Sequence, residues 1–289
     1  MTRAEGSIVL GPVAVVGLGL MGQAVARRLL SIGIQVVGYD VDNQRCSELH
    51  TVGATITNHL LDLPTFSQVL VLCLPDHRVV ADVMTAMASK LSAGCLIIDT
   101  STGDPAVAAS LGAECAARYI DYLDASISGS SAQVSKGEVV AMVGGTEDAY
   151  RRSLPVLNAF VKESLYVGSW GNGAKMKLVS NLVLGLNRAA LAEGLAFASS
   201  LGLDLENALD VLRKSMAYSR IMDTKGEKMI RSDFSAQAKL SQHLKDVRLM
   251  IEASKFELPL SLRHRELLEK AVAMGLGELD NSAIIRAIQ

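Results

Sequence analysis

Lys177 and Asn181 stand four residues apart in the segment GNGAKMKLVSNLVLG (Gly171–Gly185). That spacing puts both side chains on one face of a helix. An ammonium with an amide one turn away suits alcohol–carbonyl chemistry. The charged lysine can protonate a developing alkoxide, and the neutral amine can take the proton of a hydroxyl. Desolvation next to a second positive charge lowers a lysine's pKa and brings the neutral form within reach. Gly173, Lys177, Asn181 and Gly185 share one stripe, with Arg188 near its extension. The glycines at its ends predict room for a flat ligand beside the polar pair. Met176, Val179, Leu182, Val183 and Leu186 are expected to pack as the apolar side, and Lys175 to be a solvated charge. The spacing alone also fits a surface lysine on an amphipathic helix.

A second group has the residue types of a phosphate cradle. Val13–Val16 reads as a strand, Gly17-Leu18-Gly19-Leu20-Met21-Gly22 fits G-x-G-x-x-G, and a helix follows from Gln23. In a dinucleotide site the first glycine makes the tight turn, and the second lets a pyrophosphate approach the backbone. The third lets helix pack on strand. The helix N-terminus then offers N–H groups and a positive dipole end to the phosphates. The next strand, Gln35–Tyr39, ends in Asp40, 23 residues after Gly17. That is close to the spacing of the acid that bonds the ribose hydroxyls. A carboxylate there repels a 2′-phosphate, so NAD is favoured over NADP. Two other readings stay open: Asp40 as a turn residue, and the glycine turn of a methyltransferase.

Ligands of open α/β sheets bind outside the carboxyl ends of the strands. Three further strand ends read Cys73-Leu74-Pro75, Asp99-Thr100-Ser101-Thr102-Gly103 and Asp124-Ala125-Ser126-Ile127-Ser128-Gly129-Ser130-Ser131. The last two are rich in hydroxyls and small residues that let donors converge on an anion. Thr102 fits either an anion contact or a helix cap before Pro105, as does Asp104. For Ser128–Ser130 the ligand reading is preferred, because no strong helix signal follows.

These residues need a frame. Up to about Gly168, short β-rich runs alternate with helix-like stretches: Val13–Val16, Gln35–Tyr39, Val69–Leu74, Cys95–Ile98, Tyr119–Leu123, Val139–Val143 and Ser164–Val167, with helices at Met21–Ser31, Val79–Leu91 and Pro105–Arg118. Strands alternating with helices predict βαβ units and a mostly parallel sheet covered on both faces. After the breaker cluster GSWGNG come helical segments only, near Ala174–Leu201, Leu205–Met216, Leu240–Phe256 and Leu260–Met274. The fold class is therefore an α/β N-terminal Rossmann domain, residues 1–168, followed by an all-α C-terminal domain, residues 169–289, joined by a long interdomain helix.

Composition sets outer bounds. The 289 residues are 49% hydrophobic and 20% charged, with a net charge of −2. That is too apolar for a disordered chain, and it lacks the basic excess of a nucleic-acid binder. The four cysteines form no CxxC pair and the five histidines no ligand spacing, so no disulfide framework and no metal site are expected. Gly6–Ala26 is an uncharged run of 21 residues that a hydropathy window would read as an export signal or a membrane span. Glycine or proline at six of its positions argues against both. Read residue by residue, it is a buried strand, a phosphate turn and the start of a helix, in a soluble cytoplasmic protein with no membrane partner.

Six segments in order resemble the β-hydroxyacid dehydrogenases: GLGLMGQAVARRL (Gly17–Leu29), DTSTGDP (Asp99–Pro105), DASISGSSAQVSKGEVVAMVGG (Asp124–Gly145), GNGAKMKLVSNLVLG, HLKDVRLMIEASKFELPL (His243–Leu260) and MGLGELDNSAII (Met274–Ile285). The resemblance spans essentially the whole chain. It implies hydride exchange between NAD or NADP and a small β-hydroxy acid. Lys177 would be the catalytic acid/base, with Asn181 placing it and the substrate. Ser128 and Gly129, with Ser130 beside them, would bind the substrate carboxylate. Leu74, Pro75 and Thr102 would border the nicotinamide, Lys245 would reach the cofactor, and Asp246 would be structural. It also implies a homodimer or homotetramer, consistent with the long apolar helix. Two positions depart from the pattern in the substrate loop: Ser126 replaces a proline and Ser130 a glycine. An imine reductase of the same fold is the enzyme alternative, disfavoured by Lys177. A non-catalytic nucleotide-binding protein is the other.

Overall fold

The computed structural model describes residues 11–288 of the chain. Gly6–Leu10 of the uncharged opening lie outside them. The chain resolves into two compact units, one up to Lys177 and one from Leu178.

The first unit carries eight strands: β1 (Val13–Val16), β2 (Val36–Tyr39), β3 (Thr55–Ile56), β4 (Val69–Leu72), β5 (Leu96–Asp99), β6 (Asp121–Ser128), β7 (Val140–Gly144) and β8 (Glu163–Gly168). They form one sheet in the order β3-β2-β1-β4-β5-β6-β7-β8. Every neighbour pair is parallel except β6 with β7. Its helices are α1 (Leu20–Ser31), α2 (Asn43–His50), α3 (Leu63–Phe66), α4 (His77–Met87), α5 (Pro105–Ala116), α6 (Ser131–Lys136) and α7 (Glu147–Phe160). Strand order reverses direction at β1, so the crevice between β1 and β4 is where such a sheet takes a ligand.

The uncharged opening follows from burial on both faces. Val13 and Val15 belong to one apolar cluster, while Ala14 and Val16 belong to the cluster on the other face. Alternate side chains point to opposite faces of a strand, so a sheet covered on both sides needs a continuous apolar run.

The long helix α8 (Asn172–Ser200) leads into the second unit, with α9 (Leu205–Lys214), α10 (Ile221–Ile230), α11 (Leu240–Ala253), α12 (Pro259–Ala273) and α13 (Ile285–Ile288). Leu191, Leu195, Leu209, Met229, Leu244, Leu268 and Ile284 form its core. A buried Asp280 ties its parts together. Its carboxylate accepts from Lys225 Nζ at 2.8 Å, Gln237 N at 3.0 Å and the Ser282 hydroxyl at 2.7 Å.

Several expectations need correction. The segment DASIS is strand rather than loop: Asp124–Ser128 pairs antiparallel with Val140–Gly144. Ser126 is therefore buried within β6, away from any loop. Small polar residues read as irregular chain, but here the sheet buries them. Helix α6 follows immediately, and its capping box is built by Ser130 and Gln133. Helix α10 was masked by its central glycine. A Cβ at Gly226 would lie 2.6 Å from Leu209 Cδ1, so close packing demands the residue that weakens helix propensity. On α8, Met176, Val179 and Val183 are exposed in the single chain, not packed.

Candidate active site

The glycine turn divides its labour as backbone geometry requires. Gly17 adopts φ +87°, and a Cβ there would sit 2.5 Å from the Cys73 carbonyl oxygen. A Cβ on Gly22 would meet the Gly17 carbonyl oxygen at 1.8 Å, so only glycine lets α1 lie against the turn. Gly19 is different: the nearest atom to its Cβ position is Arg45 Nη1 at 3.9 Å. Its outer face is open to an approaching group. Gly19 is also the N-cap of α1, and no side chain caps that end. The amides of the first turn, at Leu20 and Met21, have no intrahelical acceptor.

Leu18 and Asp40 act together. The Leu18 side chain is buried, and its amide donates to Asp40 Oδ2 at 2.6 Å. Asp40 Oδ1 accepts from Asp42 N at 2.8 Å, and Arg45 Nη1 lies 3.5 Å from Oδ2. The acid at the end of β2 thus holds the phosphate turn in place and has a cation beside it, which its spacing did not reveal.

The ends of β4 and β5 are stitched by hydroxyls. Thr100 Oγ1 donates to Leu72 O at 2.7 Å and lies 3.2 Å from Cys73 Sγ. Ser101 Oγ accepts from Leu74 N at 3.0 Å, which fixes the Leu74-Pro75 turn. Burial pushes the Cys73 thiol up to about 12, so it is no nucleophile. Thr102 is half-buried and its hydroxyl makes no hydrogen bond among the described residues. Asp104 caps α5 instead, accepting from Ala106 N at 2.8 Å. The capping alternative for Thr102 therefore falls away.

Beneath this loop lies a group that sequence reasoning passed over. Asp99 accepts from Tyr122 Oη at 2.7 Å and from Ser101 N at 2.9 Å. Burial raises its carboxyl pKa, with His77 at 3.8 Å opposing the rise. His77 Nδ1 also lies 2.8 Å from the Asp104 carbonyl, and a Cβ on Gly103 would be 2.7 Å from its ring. His77 and Asp99 brace the Ser101–Asp104 loop from below. An acid at the end of β5 was the available signal. A lone histidine without ligand spacing gave none.

Lys177 Nζ donates to the Ile127 carbonyl at 2.8 Å. The ammonium therefore sits at the chain segment that leads into Ser128 and Gly129. Gly129 takes φ +149°, and a Cβ there would strike Val139 Cγ1 at 2.4 Å. Asp124 sets this approach. Its two oxygens accept from Gly171 N and Ala174 N, both at 2.9 Å, at the start of α8. Burial raises the Asp124 pKa and those two amides oppose the rise. The stripe glycines do not make ligand room. A Cβ on Gly173 would be 2.1 Å from the Asp124 carbonyl oxygen, so that glycine lets α8 press on β6. Gly185 is likewise filled from within its own unit, by His243 and His264. The Ser130 hydroxyl is engaged in the α6 cap, accepting from Gln133 N at 3.4 Å. Lys175 is exposed and donates to Asn172 Oδ1 at 3.2 Å. In the helical unit, Asn181 Nδ2 donates to Asp246 Oδ2 at 3.2 Å, and Lys245 is exposed on α11. Among the described residues, no group of three His, Cys, Asp or Glu could hold a metal.

The first unit thus carries a glycine turn with an uncapped helix start and, at the end of β6, a lysine beside a segment that holds a hydroxyl and a glycine amide. Comparison with known proteins shows the family. A family model described as the NAD binding domain of 6-phosphogluconate dehydrogenase matches residues 12–168. A second, described as the NAD-binding of NADP-dependent 3-hydroxyisobutyrate dehydrogenase, matches residues 171–288. The 2-(hydroxymethyl)glutarate dehydrogenase of Eubacterium barkeri is 33% identical over 94% of this chain and 92% of its own. A 3-hydroxyisobutyrate dehydrogenase structure from Salmonella typhimurium superposes with TM-score 0.85 at 28% identity, covering 96% of this chain and 99% of the other. The Mycobacterium tuberculosis 3-hydroxyisobutyrate dehydrogenase, solved with L-serine, gives TM-score 0.89 at 25% identity, covering 97% and 99%.

Proposed function

The chain belongs to the β-hydroxyacid dehydrogenase family, and from that premise we propose that Lys177 is the acid/base of an NAD(P)-dependent oxidation of a small β-hydroxy acid. The protein is an oxidoreductase of NAD(P) and hydroxy acids. When bound, the nicotinamide supplies the hydride acceptor or donor. The chain's own residues do the rest. The open face at Gly19 and the uncapped α1 amides fit a pyrophosphate. Leu74, Pro75 and Thr102 border the reactive end. Ser128 and the Gly129 amide hold the substrate carboxylate. Lys177 takes the hydroxyl proton during oxidation and returns it during reduction. Asn181, oriented by Asp246, and Lys245 complete the assignment. Ser130 supports the loop through the α6 cap.

The observation that carries this reading is the 2.8 Å bond from Lys177 Nζ to the carbonyl just before Ser128. It supports a proton carrier that works beside the residues assigned to the carboxylate. NAD is preferred because the fixed Asp40 carboxylate repels a 2′-phosphate, although Arg45 at 3.5 Å moderates that preference. The exposed apolar positions Val179, Val183 and Leu184 on α8 support a homo-oligomer, and the four free cysteines support a reducing cytoplasm.

The test is Lys177→Ala with a panel of C3 to C5 hydroxy acids and both cofactors. Loss of a positioned acid/base lowers kcat/KM by about 10²–10⁴, while quenching of protein fluorescence by NADH stays. Near-normal turnover in the variant overturns the role of Lys177. Reduction of cyclic imines without hydroxy-acid oxidation would favour the imine reductase reading instead.

A further inference from the structure

The helical unit buries a cation that the reaction above does not use. Arg188 on α8 is only 2% exposed, yet its Nε and Nη1 have no hydrogen-bond partner among the described residues. Two imidazoles share the same interior. His243 on α11 and His264 on α12 have ring centroids 5.1 Å apart, and the Nε2 of each is buried without a partner. Gly185, one turn before Arg188, gives them space. A Cβ there would lie 2.6 Å from His243 Nε2 and 2.8 Å from His264 Cε1.

The charges do not close. The acid facing Arg188 is Asp280, and Asp280 is already matched by Lys225 on α10 at 2.8 Å and by backbone amides. One positive charge remains, together with polar nitrogens that have no acceptor. A buried charge without a partner is costly, and buried charges are as a rule paired. Burial, then the charge of Arg188, keeps both imidazoles neutral at pH 7, with His264 lowered to about 4. The site therefore carries a single positive charge, which suits a monoanion better than a dianionic phosphate.

We infer that Arg188, His243 and His264 form an anion site inside the helical unit that takes the carboxylate of a small acid other than the substrate. An Arg–carboxylate pair is charge-assisted and planar, and the two imidazoles can each donate one further bond from Nε2.

The experiment titrates the whole protein with sodium acetate and with sodium glutarate at constant ionic strength. Imidazole resonances of His243 and His264 are followed by NMR, with His264→Gln for assignment. The expected result is a saturable shift of both histidines. In Arg188→Met the apparent Kd rises at least tenfold, and in Arg188→Lys it rises less. Arg188→Met without ligand should melt no lower than the parent, because an unpaired buried charge has been replaced by an apolar chain of similar length. Unshifted histidines, or equal titration in the parent and Arg188→Met, overturn the site. Should Arg188→Met fail to fold, a titration in Arg188→Lys identical to the parent's overturns it equally. Steady-state kinetics with a monocarboxylic hydroxy acid separates this site from the carboxylate site at Ser128 and Gly129. A non-competitive effect of acetate that is lost on replacing Arg188 supports it, and purely competitive inhibition unchanged in Arg188→Met overturns it.

Discussion

At the scale of single residues, the three glycines of the phosphate turn make different demands, and substitution should separate them. Gly22→Ala drives a methyl into the Gly17 carbonyl, a 1.8 Å approach that no rotamer relieves. The backbone of the turn must move, so loss of NADH binding should come with a lower melting temperature. Gly19→Ala meets nothing closer than 3.9 Å and adds a helix-compatible residue. That variant should melt with the parent yet bind NADH at least tenfold more weakly by fluorescence titration, because its methyl occupies the path of the pyrophosphate. Equal effects of the two substitutions would contradict the division of roles. Lys177→Ala belongs to this scale too, with its cost expected in the chemical step.

At the scale of elements, the position of Lys177 is set one turn earlier. Asp124 at the crossing of β6 and α8 accepts two amides of the helix start, and Gly173 lets that start press on the strand. Asp124→Asn keeps the shape but has only one acceptor oxygen, and its NH₂ then faces a backbone N–H. An unmet buried amide costs about 1–3 kcal/mol. The variant should melt several degrees lower and lose kcat, with cofactor binding unchanged, as measured by calorimetry and steady-state kinetics. An unaltered kcat would show that α8 does not depend on this cap for register. The same region marks the limit of reading elements from sequence. The strands at Val13, Val36, Val69 and Leu96 were legible because a doubly covered sheet demands apolar runs. DASIS and SAQVSK were not, because small polar residues carry no periodicity and their structure comes from pairing with β7 and from the Ser130–Gln133 cap.

At the scale of the whole molecule, the acid limit of stability should carry the mark of the helical unit. Burial pushes the Asp280 carboxyl up, but bonds from Lys225, Ser282 and Gln237 outweigh it and hold the pKa at about 2. The unfolded value is about 3.9, so the native state binds this proton less tightly than the unfolded one. The contribution is fully present above about pH 5 and is lost as the pH falls towards 2. It amounts to about 2–3 kcal/mol. Urea titrations from pH 5 to pH 2 should show this loss in the parent, and Asp280→Asn should be less stable at pH 6 with a flatter acid limb. A variant with the parent's slope would assign the acid sensitivity to other carboxylates.

Local chemistry was enough to establish the family and the fold class, and it supplied the residues of the proposed site. A glycine turn between a buried strand and a helix, an acid 23 residues on, and a lysine–amide pair at one-turn spacing are short-range patterns written in consecutive residues. What those residues do to one another was decided only in three dimensions. Asp40 holds the turn through Leu18, Asp124 anchors the helix that carries Lys177, and His77 reaches Asp104 across 27 residues of sequence to brace the loop that Asp99 holds from its own end. Arg188, His243 and His264 lie on three separate helices, and nothing in their spacing announces a shared interior. Periodicity records which face of an element is buried; the partners on the other side of that burial are fixed by packing between elements, which sequence order does not encode.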